Sequence, residues 1–323
     1  MHRIIVRNTG GPEVLEYEAF EAGEPGPGEV LLRHEAIGLN FIDTYLRTGL
    51  YPRRLPLVPG QEAAGVVEAV GEGVAGFRPG DRAGYAGSGP GAYASHRVIA
   101  ASELVPLPDF ISFETAAAVL LKGLTVAMLA DHCARVKPGE HVLALAAAGG
   151  VGSMLVPWLK SRGAVVIAHS GSPEKAAIAA ALGADHSLSC PFSELAETVR
   201  SLTGGKGVRA VFDGVGKDSF TASLDSIGLL GLMICYGNAS GPAPAIAPLE
   251  LSGRGSLFLT RPGMFHYMLD ETMRKSMIDS LFEKLGDGTL NVRIGQTFPL
   301  SGAADAHRAL EARQTTGATV LIP

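Results

Sequence analysis

Cysteine is scarce in this chain of 323 residues. The three present, Cys133, Cys190 and Cys235, stand far apart, and none forms a CxxC or other ligand-spaced pair. That argues against a disulfide framework and a structural zinc site, and it suits a reducing cytoplasm. Charge is also sparse, at 18% of residues with a net of −5, against about 25% charged in an average soluble protein. With no basic run, a dedicated nucleic-acid binder is not expected. With 46% hydrophobic residues, neither is an extended disordered chain. None of the nine histidines pairs with another at i, i+3 or i, i+4, so no metal is expected. No repeat of fixed period stands out. Met1-His2-Arg3 runs directly into the strand-like Ile4-Ile5-Val6, which does not read as a leader. One stretch, Val142 to Leu159, carries no charge over 18 residues, but Gly149, Gly150, Gly152 and Pro157 interrupt it. A buried strand, a glycine turn and a packed helix explain it better than a membrane span.

What the chain does have is glycine, 42 residues, with 20 prolines, scattered at turn positions where positive φ or close approach is needed. Up to about residue 120 the pattern is strands and turns. Val30–His34, Ala63–Val70 and Tyr93–Val98 read as strands, separated by turns such as Gly26-Pro27-Gly28-Glu29 and Arg78-Pro79-Gly80-Asp81. This predicts a compact β-rich domain of partly open barrel type. Near Ser112 the rhythm changes, with helices over Phe113–Leu121 and Thr125–Ala134. Strand and helix then alternate: Val142–Ala146, Gly152–Arg162, Ala164–His169, Pro173–Leu182, His186–Leu188, Phe192–Leu202, and strands Val208–Phe212, Gly231–Tyr236 and Ser256–Thr260. Such alternation predicts a parallel, doubly wound α/β sheet of Rossmann type. A helix-rich piece, Met264 to Leu285, leads to a strand over Val292–Phe298, a last helix and the terminal strand Thr319–Ile322. The expected organisation is a dinucleotide-binding domain over 123–260, inserted into a substrate domain formed by 1–122 and 261–323.

Between the first strand and helix of the alternating segment lies Ala146-Ala147-Ala148-Gly149-Gly150-Val151-Gly152. A tight turn there brings backbone N–H groups and a helix N-terminus against a pyrophosphate, which a side chain would obstruct. Ala147 replaces the first glycine of a literal GxGxxG, and no Lys-Ser/Thr follows as a phosphate-binding P-loop requires. An NAD site has Asp or Glu about 20 residues past the glycines, on the ribose hydroxyls. Here the next strand ends in His169-Ser170-Gly171-Ser172-Pro173-Glu174-Lys175. Its tip has no acid, and Ser170, Ser172 and Lys175 can meet a 2′-phosphate, so NADPH is the expected cofactor. Lys175 taken alone reads more readily as a solvated lysine in a helix's first turn, and Glu174 beside it points the other way.

With these residues assembled, the chain resembles the zinc-free quinone oxidoreductase branch of the medium-chain dehydrogenase/reductase superfamily, the zeta-crystallin-like enzymes. The resemblance runs from Gly10-Gly11-Pro12-Glu13-Val14-Leu15 to Leu321-Ile322-Pro323. It rests on Gly38-Leu39-Asn40-Phe41-Ile42-Asp43-Thr44-Tyr45, Arg47-Thr48-Gly49-Leu50-Tyr51-Pro52, Leu121-Lys122-Gly123-Leu124-Thr125, Ala146 to Gly152, Tyr236-Gly237-Asn238-Ala239-Ser240-Gly241 and Thr260-Arg261-Pro262. It implies that the β-rich part is GroES-like. Zinc alcohol dehydrogenases of the superfamily place a cysteine and a histidine where this chain resembles them with Asn40 and Gln61, neutral amides that ligate zinc poorly.

The resemblance implies that Asn40, Tyr45 and Tyr51 surround the nicotinamide and substrate ring in an interdomain cleft. Tyr51 would supply a hydrogen bond or proton, or serve as an amphipathic wall residue, and Asn40 would orient the ring. Gly149, Gly150, Val151 and Gly152 would receive the pyrophosphate, and Ser170, Gly171, Ser172, Lys175 and Cys190 would border the adenosine phosphate. Family members often carry Tyr at the Cys190 position, which bears on the strength of an NADPH preference rather than its direction. Lys122 and Thr125 would lie near the nicotinamide, with Tyr236, Gly237, Asn238 and Thr260 on the far wall. Arg313 would reach the cofactor or form a surface ion pair. The implied reaction is metal-free, NADPH-dependent quinone reduction. A quinone is already electron-poor, so catalysis by positioning suffices. Reduction of activated C=C bonds in enones or enals is the alternative within the fold. A non-catalytic NADPH- or RNA-binding role is the alternative outside it, and the −5 charge weighs against RNA. A homodimer is expected, with Leu229–Ile234 and Gly253–Leu259 as the candidate edge or as core strands.

Overall fold

The computed structural model describes residues 1–87 and 89–323. The chain divides into two compact units, Met1–Lys122 with Val292–Pro323, and Gly123–Asn291.

In the first unit the long strand Glu29–Leu39 organises the sheet. It pairs antiparallel with Glu62–Val70, His96–Ala100 and Ala318–Ile322, and bulges at Leu31/Leu32 and His34/Ala36 let it bend between neighbours. Arg82–Ala86 and Val105–Pro106 extend one side, and Ile294–Pro299 extends the other as the one parallel pair. The seven strands enclose a core that includes Leu32, Ile37, Tyr85 and Tyr93, joined by Leu300 and Leu321 from the end of the chain. This is the β-rich GroES-like half. The helix Phe41–Thr48 follows directly on the long strand and ends at Gly49, whose φ of 81° takes the left-handed conformation of a helix stop.

The second unit is a six-stranded, wholly parallel sheet. Its order is His186–Leu188, Val165–His169, His141–Leu145, Val208–Asp213, Ile227–Cys235, Phe258–Thr260. The direction of winding reverses between His141–Leu145 and Val208–Asp213, so the crevice at their carboxyl ends is the switch point where such sheets bind ligands. The central strands are buried on both faces, which explains why they read as continuous apolar runs rather than alternating ones.

The expected return to the first unit at residue 261 comes later, at Val292. Packing is the reason. The helix Glu271–Gly286 buries Leu281 so closely that a Cβ on Gly123 would lie 2.4 Å from its Cδ1. The Lys284 ammonium sits 5.1 Å from the Trp158 ring centroid and donates to Ser161 Oγ at 2.9 Å, a cation–π contact and hydrogen bond that tie the helix to the parallel sheet's unit. Among the described residues, Phe113–Ala134 is the one helical run long and apolar enough to cross a membrane, and 78% of its most apolar stretch is buried. The uncharged stretch from Val142 is instead strand, turn and the helix Gly152–Ser161, as its breakers imply.

Candidate active site

The glycine turn is shaped by main-chain contacts. After His141–Leu145 the chain turns through Ala146, a non-glycine residue at φ 51°, and Gly149 N–H closes on Ala146 O at 2.9 Å. A Cβ on Gly152 would lie 2.3 Å from Ala146 O and 2.6 Å from Ala147 Cα. Only glycine lets the helix start this close to the strand, and the crossover thereby forms the kind of cradle a pyrophosphate requires.

The neighbouring strand Val165–His169 ends without a carboxylate. His169 is buried, which lowers its pKa and keeps it neutral; its Nε2 donates to Cys190 O at 2.8 Å, and its ring lies 5.0 Å from Phe192. That bond brings the Cys190 segment beside the strand tip. Ser170 N–H donates to Leu188 O at 2.9 Å, while its buried side-chain hydroxyl has no partner, and the same holds for Ser187 Oγ on the next strand. Gly171 offers open space where a Cβ would stand. Ser172 caps the helix Pro173–Ala181 by accepting Lys175 N–H at 3.3 Å. Ser170, Gly171, Ser172, Lys175 and Cys190 are thus gathered at the ends of adjacent strands. Glu174 is exposed, and its carboxyl is held below the usual range chiefly by the Ser172 side chain.

Across the switch point, Asp213 ends its strand fully buried. It accepts Val215 N–H at 2.8 Å, Gly216 N–H at 3.0 Å, Ser219 Oγ at 2.7 Å and Ser223 Oγ at 2.7 Å. This fixes the loop against Tyr236, whose N–H donates to Asp213 O at 2.8 Å and whose ring lies where a Cβ on Gly214 would be. Gly237 packs on Gly214 O, and Asn238 O accepts Gly241 N–H. Thr260 closes the edge strand beside Ile234, and Thr125 Oγ1 lies 3.8 Å from Met264 Sδ.

In the first unit, Asn40 precedes the Phe41–Thr48 helix, and its Nδ2 donates to Glu62 Oε1 at 2.8 Å. Lys122 Nζ meets the same oxygen at 2.8 Å, and Leu121 N–H donates to Oε2 at 2.6 Å. Glu62 is completely buried, and Gly38 makes room for it, since a Cβ there would lie 2.3 Å from Oε1. Asn40 and Lys122 are therefore brought together on one carboxylate. Tyr45 and Tyr51 form an edge-on pair with centroids 5.3 Å apart, and Tyr51 N–H donates to Tyr45 O at 3.0 Å. Arg313 is exposed in a left-handed turn after the helix Ala303–Glu311.

Sequence reading missed Glu62, Asp43, Tyr93, His307, Arg47 and Asp213. An acid beside Ala63-Ala64-Gly65-Val66-Val67, and Asp213 followed by Ser219 and Ser223, were the available signals. Nothing local marked His307, which meets Arg47 across 260 positions.

Residues 150–283 match the family model of a zinc-binding dehydrogenase, and residues 26–109 match an alcohol dehydrogenase GroES-like domain. A quinone oxidoreductase from Pseudomonas aeruginosa is 47% identical over 99% of both chains. A 2-haloacrylate reductase from a Burkholderia species is 42% identical over 99% of this chain and 98% of its own. The solved Escherichia coli quinone oxidoreductase complexed with NADPH superposes with a TM-score of 0.96, at 42% identity and full coverage of both chains. The zinc implied by the first model's description does not fit the donors found here. Asn40 and Gln61 are neutral amides, Asn40 Nδ2 is committed as a donor to Glu62, and no group of three His, Cys, Asp or Glu gathers for a metal among the described residues. Likenesses of this extent place the chain in the quinone oxidoreductase family of the medium-chain dehydrogenase/reductase superfamily, among the oxidoreductases.

Proposed function

We propose that this protein reduces quinones with NADPH and uses no metal. The observation that carries the cofactor choice is the tip of the Val165–His169 strand. A buried Ser170 hydroxyl there lacks any partner, the neighbouring histidine is neutral, and the strand itself ends without a carboxylate, the nearest acid being the exposed Glu174 beside Ser172. Ser170, Gly171, Ser172, Lys175 and Cys190 hold that phosphate. Gly150, Val151 and Gly152 offer main-chain N–H groups to the pyrophosphate, and Gly149 lets it approach closely. Thr125, Tyr236, Gly237, Asn238 and Thr260 form the wall for the nicotinamide end.

NADPH supplies a hydride. Asn40, locked by Glu62, presents a fixed amide to the substrate ring. The edge-on pair of Tyr45 and Tyr51 lines the substrate ring, and the Tyr51 hydroxyl hydrogen-bonds the reduced oxygen. An electron-poor quinone needs no Lewis acid under these conditions, so positioning and exclusion of water carry the rate.

The likeness to a 2-haloacrylate reductase favours a second reading, reduction of activated C=C bonds. Oxidation of NADPH and of NADH in EDTA separates the two, paired in turn with 1,4-benzoquinone, a naphthoquinone and 2-chloroacrylate. Turnover with the quinones is expected; turnover with the haloacrylate alone would move the assignment. In Lys175→Ala the preference for NADPH over NADH should shrink by about tenfold to a hundredfold, the worth of a charge-assisted hydrogen bond. An unchanged preference would remove Lys175 from the phosphate site.

The assembly we infer is a homodimer through the Phe258–Thr260 edge. Phe258 is 61% exposed there, with Leu229 at 77% and Leu249 at 81%. An unpaired strand edge flanked by large apolar side chains favours pairing with a second copy. Sedimentation as a monomer at micromolar concentration would overturn this. Three unpaired cysteines suit a reducing cytoplasm.

A further inference from the structure

Asn40 is held by two buried carboxyl groups of different kinds. Glu62 takes its side chain and is paired with Lys122. Asp43 takes its main chain: Asn40 N–H donates to Asp43 Oδ2 at 2.9 Å, bracing the first turn of the helix. The second partner of Oδ2 is the end of a directed chain. An arginine can only donate, so Arg47 Nη1 donates to His307 Nδ1 at 3.1 Å. His307 then carries its hydrogen on Nε2 and donates to Tyr93 Oη at 3.0 Å. The Tyr93 hydroxyl in turn donates to Asp43 Oδ2 at 3.1 Å. Every bond to Asp43 falls on Oδ2, while Oδ1 is buried and has no partner.

We propose that Asp43 is a positioning residue for the reaction, whose gain or loss of a proton sets how firmly Asn40 is held. This rests on the role given to Asn40 above.

An acid in the first turn of a helix normally stabilises it as an exposed anion. Asp43 is fully buried, and an unmet carboxylate oxygen in such a place is disfavoured unless a proton sits on it. Burial, aided by Glu62, raises the Asp43 pKa to about 7, against the pull of the Asn40 and Tyr93 hydrogen bonds and of Lys122. The other facing groups do not titrate nearby: burial first and Arg47 second keep His307 neutral down to about 3, and Tyr93 is raised well above its ordinary value. Arg47 itself is paired with Glu311 at 2.6 Å. When Asp43 ionises, both bonds to Oδ2 become charge-assisted and roughly twice as strong. The helix start and Asn40 tighten, and turnover rises with pH through neutrality.

The test is the pH profile of kcat with NADPH and 1,4-benzoquinone, together with an infrared titration of the enzyme's protonated-carboxyl stretch. The wild type should gain about fivefold in kcat across neutral pH, in line with the stronger bonds. A carboxyl band should disappear over the same range. Asp43→Asn keeps the acceptor and the shape, and should give a flat profile at the lower rate without that band. Tyr93→Phe removes a bond that lowers the Asp43 pKa, so both midpoints should move to higher pH. A neutral-range step that persists in Asp43→Asn, or a Tyr93→Phe midpoint that does not move, would overturn the proposal. If Asp43→Asn does not fold, the wild-type band and the Tyr93→Phe shift decide. Absence of quinone turnover with the titrating band present would sink the quinone reading, whereas turnover without the band would sink only the role of Asp43.

Discussion

At the end of the His141–Leu145 strand, the proposed pyrophosphate cradle is made of main-chain N–H groups and a missing Cβ, all within a dozen residues of each other. Around Asn40 they are side chains drawn from segments 22, 60 and, through Arg47 and His307, 260 positions apart. The first arrangement is tuned by backbone shape and is insensitive to protonation. The second gathers Asp43, Glu62, Lys122, Arg47 and His307 in a largely water-free interior, where each charge depends on its partner. The proposed nucleotide cradle is therefore built as geometry, and the proposed substrate side as an electrostatic network.

Breaking the network at its most buried pair should have the largest effect. Glu62→Gln leaves the Lys122 ammonium, 5% exposed, without an anion and should destabilise the first unit by about 3–5 kcal/mol. Adding Lys122→Met removes the stranded charge and should recover most of that loss. Hydrogen exchange of the Glu29–Leu39 and Glu62–Val70 strands reads the first unit. Emission of Trp158, the only tryptophan, reads the second. Loss of protection with unchanged Trp158 emission is expected. A double variant no more stable than Glu62→Gln would mean the pair is not what holds this region.

The geometric side should yield to a single methyl group. In Gly152→Ala the new Cβ meets Ala146 O at 2.3 Å and Ala147 Cα at 2.6 Å, both main chain and unable to rotate away. About 2 kcal/mol of destabilisation is expected from the overpacking, with weakened NADPH binding. The Trp158 melting signal and a cofactor titration measure the two effects. Gly149→Ala, whose nearest contact is at 3.1 Å, should do much less. Equal effects of the two alanines would refute the close-packing role of Gly152.

The same contrast explains what could be read without coordinates. The glycine turn, the acid-free strand tip and the alternation over 142–260 are local patterns, and the parallel sheet and its switch point follow from them. Asn40, Tyr45 and Tyr51 lie in two short runs, 38–45 and 47–52, that carry the family resemblance, and the proposal for them comes from those runs. The partners of Asn40 were not, because the pairing of Glu62 with Lys122 exists only once Glu29–Leu39 and Glu62–Val70 are in register. The boundary near 261 failed for a related reason. A helical pattern does not say which sheet it covers, and only the contacts of Leu281 with Gly123 and of Lys284 with Trp158 assign Glu271–Gly286 to the nucleotide unit.

The most discriminating of these effects is the response to acid. Burial lowers His34 and His307 to about 3, whereas an unfolded histidine titrates near 6.5. The unfolded chain therefore binds protons first, and their contribution, complete above about pH 6.5, is lost as pH falls toward 3. Between pH 7 and 5 each histidine should forfeit about 2 kcal/mol. Asp43 acts in the opposite sense. Its folded pKa of about 7 lies above the unfolded value, so its contribution is complete in acid and lost as pH rises through 7. Over the same interval it should restore about 2 kcal/mol, leaving the first unit weaker by about 2 kcal/mol. In the second unit His169 is also held neutral by burial, but it is less completely enclosed. Acidification to pH 5 should thus relax exchange protection in the first unit while Trp158 emission barely changes. Asp43→Asn, deprived of the opposing term, should about double the acid loss of the first unit. Equal losses in the two units, or an Asp43→Asn response identical to that of the wild type, would erase the distinction between a network that titrates and a cradle that does not.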